Sequence, residues 1–401
     1  MEYIKRDFYL NQIRPFIDKP IIKVLSGQRR VGKSYIMMQL SDEICIQNKN
    51  ANIIYINCEM EEFRKINNYK HLHDYVQSRI KKGSSNYLFI DEVQEIDSFQ
   101  NCLRSLLAEG VCDIYCTGSN AHILSGELAT FLSGRFIEFE IHSLSYIEFL
   151  EFHQLENSQD NLIKYLTYGG MPFLIHLDLT PNQVFEYLKN VYSTILLKDV
   201  VEKEKIRNIS FLENLVRYIS NNIGSLFSAN NISKYLKSQQ INMTPQLVLN
   251  YLKGLTNAYI IHKVSRFEIG GLKIFEIGEK YYFEDLGIRN HLFGTSISSE
   301  IHKIMENAIY LHLIQCGYKV YVGKFGSKEI DFVAEKNGNR LYVQSALTVI
   351  DEKTKEREFG NLLEIQDNYP KFVITLNDMI IGNDYYGIKH YNLGEFLMNR
   401  F

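Results

Sequence analysis

The stretch Gly27-Gln28-Arg29-Arg30-Val31-Gly32-Lys33-Ser34 constrains this chain more than any other. It separates a short apolar run, IIKVLS, from a run of helix length, KSYIMMQLSDEICIQN. The spacing fits Gly-x4-Gly-Lys-Ser/Thr placed between a strand and a helix. Glycine lets the backbone turn so tightly that successive N–H groups face one centre, where an anion fits. The following helix adds the positive end of its dipole. Lys33 is expected to reach the β- and γ-phosphates of a nucleotide, and Ser34 to hold Mg²⁺. Gly27, Gln28, Arg29, Arg30, Val31, Gly32 and Tyr35 complete the expected cradle for ATP. The competing reading is a chance match in a glycine-rich turn, on the order of 1% for a chain of this length.

Two further strand ends support the loop. NYLFIDEVQEI is an apolar run closing on Asp91 and Glu92. Asp91 is expected to hold the magnesium, and Glu92 to polarise the attacking water. Taken alone, the pair is an acidic strand terminus. CDIYCTGSN ends in Thr117, Ser119 and Asn120, and Asn120 is positioned to orient water beside the γ-phosphate; the alternative is a simple turn. Arg135 opens the run RFIEFEI. It reads as an arginine that reaches into a neighbouring copy, or as a solvated side chain.

The pattern between these points sets the class. From Ile21 to Ile141, strand-length apolar runs alternate with helix-length segments, which implies an α/β fold with a parallel sheet covered on both faces. Residues 142–208 read as a small all-helical domain. Residues 209–294 read as helices followed by a hairpin turning at Gly270-Gly271, a winged helix. In its second short helix Thr244 is the expected N-cap and Pro245 the first helical residue. Residues 295–401 run helix, three strands, helix, strand, with a hairpin turn at Asn337-Gly338.

Composition excludes some partners. The 401 residues carry a formal net charge of −3, so the chain is no polycation, and any nucleic-acid contact needs a local basic face. No stretch is apolar and long enough to span a bilayer. The N-terminal MEYIKRDFYLNQIRPF lacks the apolar core of an export signal, so a cytoplasmic protein with reduced thiols is expected. Cys102, Cys112 and Cys116 have no histidine at zinc-binding spacing and read as buried thiols.

GQRRVGKS, LFIDEVQ, TGSN and SGRF, in this order, resemble the AAA+ ATPases. The resemblance implies a P-loop NTPase core over residues 1–141 with residues 142–208 as its helical lid, Asn120 as sensor 1 and Arg135 as arginine finger. YLTYGGMPFLI resembles the Gly-x-Pro motif of the signal-transducing branch, which implies that Gly170 and Pro172 lie near the adenine. IKRDFYLNQI, LSYIEFLEF, LLKDVVEKEKIRN and EIDFVA are similar to a prokaryotic group of ATP-binding proteins. Their C-terminal domain of unknown function is related to restriction-endonuclease-like folds.

That last relation implies a metal site of helix Glu, strand Asp and Glu-x-Lys. Here Glu306 and Asp331 match, but Gln344 replaces the second acid and Ala346 the lysine. A nuclease-like scaffold that binds rather than cuts is therefore expected. Lys324, Lys328, Lys353, Lys355 and Arg357 add positive charge that Asp351, Glu352, Glu356 and Glu358 dilute, so DEKTKERE reads as a solvated helix face. In the winged helix, Gln246 and Asn250 are suited to adenine edges. Lys234, Lys237, Lys253, Lys263, Arg266 and Lys273 would serve phosphates; the alternative is a protein-contact module. The chain thus reads as an ATP hydrolase, with a homo-oligomer suggested by Arg135, whose cycle moves a winged helix and a nuclease-like domain. The alternatives are a DNA- or protein-binding switch with little turnover, and a DNA-cleaving defence enzyme.

Overall fold

The computed structural model describes residues 4–121, 132, 134–238, 241, 243–271, 273–294, 297–349, 352–376 and 384–400; at 273–277, 297–298 and 352–354 it describes the backbone alone. These residues form two units. The first spans Met1–His142 with Asn257–Tyr259, and the second spans Ser143–Thr256 with Ile260–Phe401. No helix among the described residues is long and apolar enough to cross a membrane.

The first unit is built on five parallel strands: β1 (Ile22–Ser26), β2 (Ala51–Asn57), β3 (Ser85–Asp91), β4 (Asp113–Gly118) and β5 (Phe136–Glu140). Their order is β2-β3-β4-β1-β5. Helices α1 (Asp7–Ile13), α2 (Lys33–Gln47), α3 (Tyr69–Arg79) and α4 (Phe99–Glu109) accompany the sheet. Every residue of β1 is buried, as is all of β3 after Ser85, which is why these strands read as continuous apolar runs. Ile22, Val24, Leu88, Ile90, Ile114 and Cys116 share one core with Leu103 and Leu106 of α4. Lys23 is the exception in β1; its ammonium is buried against Asp113 and the face of Tyr115. Register brings Ser26 opposite Gly118, and Ile90 opposite Cys116. The C-terminal ends of β1, β3 and β4 therefore lie side by side, where ligands of open α/β sheets sit.

In the second unit, α5 (Tyr146–His153) starts at a capping box in which Ser145 and Glu148 satisfy each other's backbone N–H. Then come α6 (Gln159–Tyr168), α7 (Pro181–Thr194), a π-helical stretch over Ile195–Glu202, α8 (Ile209–Asn221), α9 (Ala229–Ser238) and α10 (Pro245–Asn257). Thr244 Oγ1 accepts from Leu247 N at 3.3 Å, at the start of α10. Strands β6 (Ile261–Glu268) and β7 (Lys273–Phe283) pair antiparallel. Next are α11 (Leu286–Phe293), α12 (Ile297–Gln315), β8 (Lys319–Phe325), β9 (Lys328–Lys336), β10 (Asn339–Ala346), α13 (Glu352–Leu363), β11 (Lys371–Thr375), β12 (Ile388–Asn392) and α14 (Leu393–Met398). The β9–β10 turn uses Asn337 at φ 52° and Gly338 at φ 80°, both left-handed, as a two-residue hairpin requires.

One seven-stranded sheet runs β12-β11-β10-β9-β8-β6-β7. The hairpin β6–β7 thus joins the C-terminal strands, through parallel pairing of Arg266, Phe267 and Glu268 with Val322, Gly323 and Lys324. The boundary expected at 294 falls between segments of one sheet. The pairing is long-range, and nothing in local periodicity announces it.

Candidate functional site

The loop between β1 and α2 is shaped by its two glycines. Gly27 has φ 135°, and a Cβ there would stand 2.1 Å from the carbonyl oxygen of Ile141. Only glycine fits. Gly32, at φ 99°, is the N-cap of α2, and Arg30 is also left-handed at φ 70°. Such alternation turns amides toward a common centre. Val31 is fully buried, and its carbonyl accepts from the buried Arg6 guanidinium at 2.8 Å, which ties the loop's apex to the N-terminal segment. Arg29 pairs with Glu59 at 3.1 Å, and Tyr35 is 54% exposed.

The Lys33 ammonium is 4% exposed and donates to the carbonyls of Gly27 and Gln28, each at 2.9 Å. Gln28 is buried too. Its Nε2 donates to the carbonyl of Tyr259 at 3.0 Å, whereas its Oε1 has no partner among the described residues. That oxygen lies in the loop that also carries the buried lysine.

Asp91 and Glu92 stand at the end of β3. Asp91 Oδ1 accepts from Thr117 Oγ1 at 2.6 Å, and Thr117 Oγ1 in turn accepts from the N–H of Glu92 at 2.8 Å. One hydroxyl on β4 thus fixes both acids. Burial pushes the Asp91 carboxyl above the usual carboxylate range, opposed by hydrogen bonds from Ser34 and Thr117. Ser34 and Asp91 are therefore in direct contact, an oxygen pair suited to a hard cation. Glu92 is left-handed at φ 56°, which is uncommon outside glycine and turns its side chain off the strand's path. Its carboxylate accepts a short hydrogen bond from Gln94 Nε2, whose other neighbour is Ser119 Oγ at 3.5 Å.

Ser119 and Asn120 are both buried at the end of β4. Arg135 is exposed just before β5, and its backbone joins Ile22 and Leu132. Ser133, within the SGRF stretch, lies outside the described residues. The structure therefore brings together Gly27, Lys33, Ser34, Asp91 and Glu92. Two partners have roles that sequence reasoning did not assign. Thr117 was legible only as a polar strand end, and Gln94 lies two residues beyond Glu92 with no motif to mark it.

Gly170 and Pro172 belong to the second unit. There Gly170 has a local role. A Cβ on it would meet Leu144 O at 2.3 Å, and its N–H donates to Asp285 Oδ2 at 2.8 Å. Asp285 Oδ1 caps α11 through Ile288 N at 2.9 Å. Pro172 opens a short 3₁₀ turn, Pro172–His176. Cys102 and Cys116 are buried and Cys112 half-buried, with burial pushing each thiol up to about 12, far from thiolate chemistry.

The fold and this loop define a domain of the AAA class, and residues 19–150 match the family described as AAA domain. Residues 159–299 match a family described as a domain of unknown function (DUF8612). An uncharacterized protein of Haemophilus influenzae is 35% identical over 379 residues, 93% of either chain. The chain belongs to the same family as that relative. An uncharacterized protein of Methanocaldococcus jannaschii is 29% identical over 377 residues, 89% of this chain and 82% of its own. Among solved structures, the Aeropyrum pernix ORC1 protein in complex with DNA aligns with TM-score 0.35 and 12% identity, over 75% of this chain and 95% of that one. AMPPCP-bound DnaA from Aquifex aeolicus aligns with TM-score 0.33 and 15% identity, over 54% and 75%.

Proposed function

We propose that the first unit binds ATP with magnesium and hydrolyses it, and that the second unit is the element driven by the cycle. The observation that carries this reading is the joint placement of a buried Lys33 ammonium on the loop carbonyls and of the Ser34–Asp91–Thr117 chain beside it. Ser34 and Asp91 would hold the metal, which when bound neutralises charge developing on the phosphates. Lys33 exchanges its two carbonyl partners for β- and γ-phosphate oxygens. Gly27, Gln28, Arg29, Arg30, Val31, Gly32 and Tyr35 complete the cradle. Glu92 takes a proton from water as the water oxygen bonds to the γ-phosphorus and the bond to the β-phosphate oxygen breaks, giving ADP and phosphate. Asn120 orients that water. Arg135, exposed, serves the site of a second copy in a homo-oligomer. The resemblance of its motif to the signal-transducing branch assigns Pro172, in the lid 142–208, to the adenine.

A second reading is a nucleotide-gated switch with little turnover that holds DNA or a protein partner. Two observations favour it. Gln94 already occupies the Glu92 carboxylate. Lys205 and Arg207, from the segment before α8, line one cleft of about 560 Å³ with Asn250 and Lys253 of α10 and with Glu204, which offers a phosphate backbone three cations beside one acid. Lys273 and Lys353, counted among the expected cations, have side chains outside the described residues.

Steady-state phosphate release separates the two. Turnover of roughly 1–100 per second, at a rate that rises with protein concentration, is expected for the hydrolase. Tight nucleotide retention with background release would establish the switch instead.

A further inference from the structure

Three residues of the first unit come from a distant part of the sequence. Asn257, Ala258 and Tyr259 pack within the first unit, while the rest of α10 before them and β6 after them belong to the second. All three are buried. The Asn257 carbonyl accepts from Ala121 N at 2.8 Å, one residue past Asn120. The Tyr259 carbonyl accepts from Gln28 Nε2 at 3.0 Å, inside the phosphate loop itself. The Tyr259 hydroxyl hydrogen-bonds the Glu138 carboxylate of β5, which also accepts from Ser26 Oγ at the end of β1.

The backbone of this segment is strained at the residue that makes two of these contacts. Ile260 N donates to Leu255 O at 3.0 Å, the bond that closes a helix whose last turn ends in a left-handed residue. Tyr259 is that residue, at φ 53°. Glycine is the usual occupant, because a Cβ is unfavourable there. A tyrosine gives up that ease and gains the contact with Glu138. Gln28, its partner in the loop, has two holds of its own. Its carbonyl accepts from the Lys33 ammonium at 2.9 Å, and its side-chain amide donates to Tyr259. A phosphate that takes the Lys33 ammonium removes the first hold.

We propose, on the nucleotide reading above, that Asn257–Tyr259 is a latch which nucleotide binding releases, and that it passes the state of the site to α10 and β6. With Lys33 on the loop carbonyls, Gln28 holds Tyr259 and the segment is closed. As the ammonium passes to phosphate, Gln28 turns and lets the Tyr259 carbonyl go. The Asn257–Ala121 bond opens with it, and the displacement enters α10 and β6 through the continuous chain. Tyr259 is a positioning residue: its effect on the site runs through Gln28.

The test is hydrogen exchange of the full chain, read by mass spectrometry over residues 116–121 and 255–262, with and without AMPPNP and Mg²⁺. Binding of the same analogue is measured separately by calorimetry. In wild type, exchange of the Ala121 and Ile260 amides is expected to rise about fivefold on binding, the change that one lost hydrogen bond produces. Gln28→Leu lacks the donor, so it is expected to exchange fast without analogue and to rise no further at saturating analogue. Tyr259→Phe keeps the ring and loses the Glu138 contact. It is expected to start about fivefold faster than wild type, with the analogue adding less than about twofold, and it carries the test if Gln28→Leu binds no analogue. Protection across β2 stays at the wild-type level in both variants, which general destabilisation would not allow. Analogue bound by wild type with no change at either amide would overturn the latch and leave the nucleotide reading standing. A wild-type rise retained in full in Gln28→Leu, or in Tyr259→Phe, would overturn it as well. A wild type that binds no analogue would refute the nucleotide reading itself, and the latch with it.

Discussion

Single atoms decide what the nucleotide site can tolerate. A methyl on Gly27 would collide with the Ile141 carbonyl, and the residue would also be held at φ 135°. Gly27→Ala is therefore expected to cost about 3 kcal/mol in urea unfolding and to abolish binding of a fluorescent ATP analogue. Thr117→Val keeps the shape but removes the hydroxyl shared by Asp91 and the Glu92 N–H. It leaves a buried donor unpaired, at about 2 kcal/mol. Nucleotide affinity should change little while phosphate release falls at least about tenfold, because the attacking water loses an aligned base; equal turnover would remove Thr117 from the site. Gly27 to Ser34 were legible from the sequence because a phosphate loop is local: its chemistry is written in consecutive residues. Thr117 was not, because its role exists only once β3 and β4 lie side by side.

At the scale of elements, the start of α11 is a charge-sensitive joint of the second unit. Asp285 caps α11 and accepts from Gly170, yet it is buried, and burial lifts its carboxyl from 3.8 to about 6. A raised acid binds its proton better in the folded chain than in the unfolded one. Its contribution is fully present below pH 3.8 and is lost as pH rises to 6, on the order of 3 kcal/mol in all. His312 runs the other way. Burial on α12 lowers it to about 4, so its contribution is present above pH 6.5 and is lost as pH falls to 4. Asp285→Asn should remove the first dependence and His312→Gln the second, read as urea midpoints between pH 4 and 7; unchanged profiles would refute the assignments. Helix caps such as Ser145-x-x-Glu148 and Thr244-Pro245 are readable from sequence, since capping involves residues one turn apart. The Gly170–Asp285 contact joins distant segments and is not.

For the whole molecule, the sequence reading placed a hairpin and a C-terminal domain apart, and the structure joins them in one seven-stranded sheet. Lys280 of that hairpin reaches the acids of α12 and β9 for the same reason. If the cleft lined by Lys205, Arg207 and Lys253 meets DNA, replacing Arg207 and Lys253 with Ala should weaken binding uniformly across sequences and reduce the slope of log affinity against log salt by about 2. An unchanged slope would exclude that cleft. Arg135→Ala should abolish any concentration dependence of hydrolysis, and normal turnover in that variant would exclude its action on a second copy. The central claim, that the first unit hydrolyses the nucleotide it holds, rests on Glu92. The most direct measurement is bound nucleotide and released phosphate in wild type and Glu92→Gln side by side. Retained ATP with phosphate release at least about 100-fold slower is the expected result. Equal release from the two proteins would contradict the account.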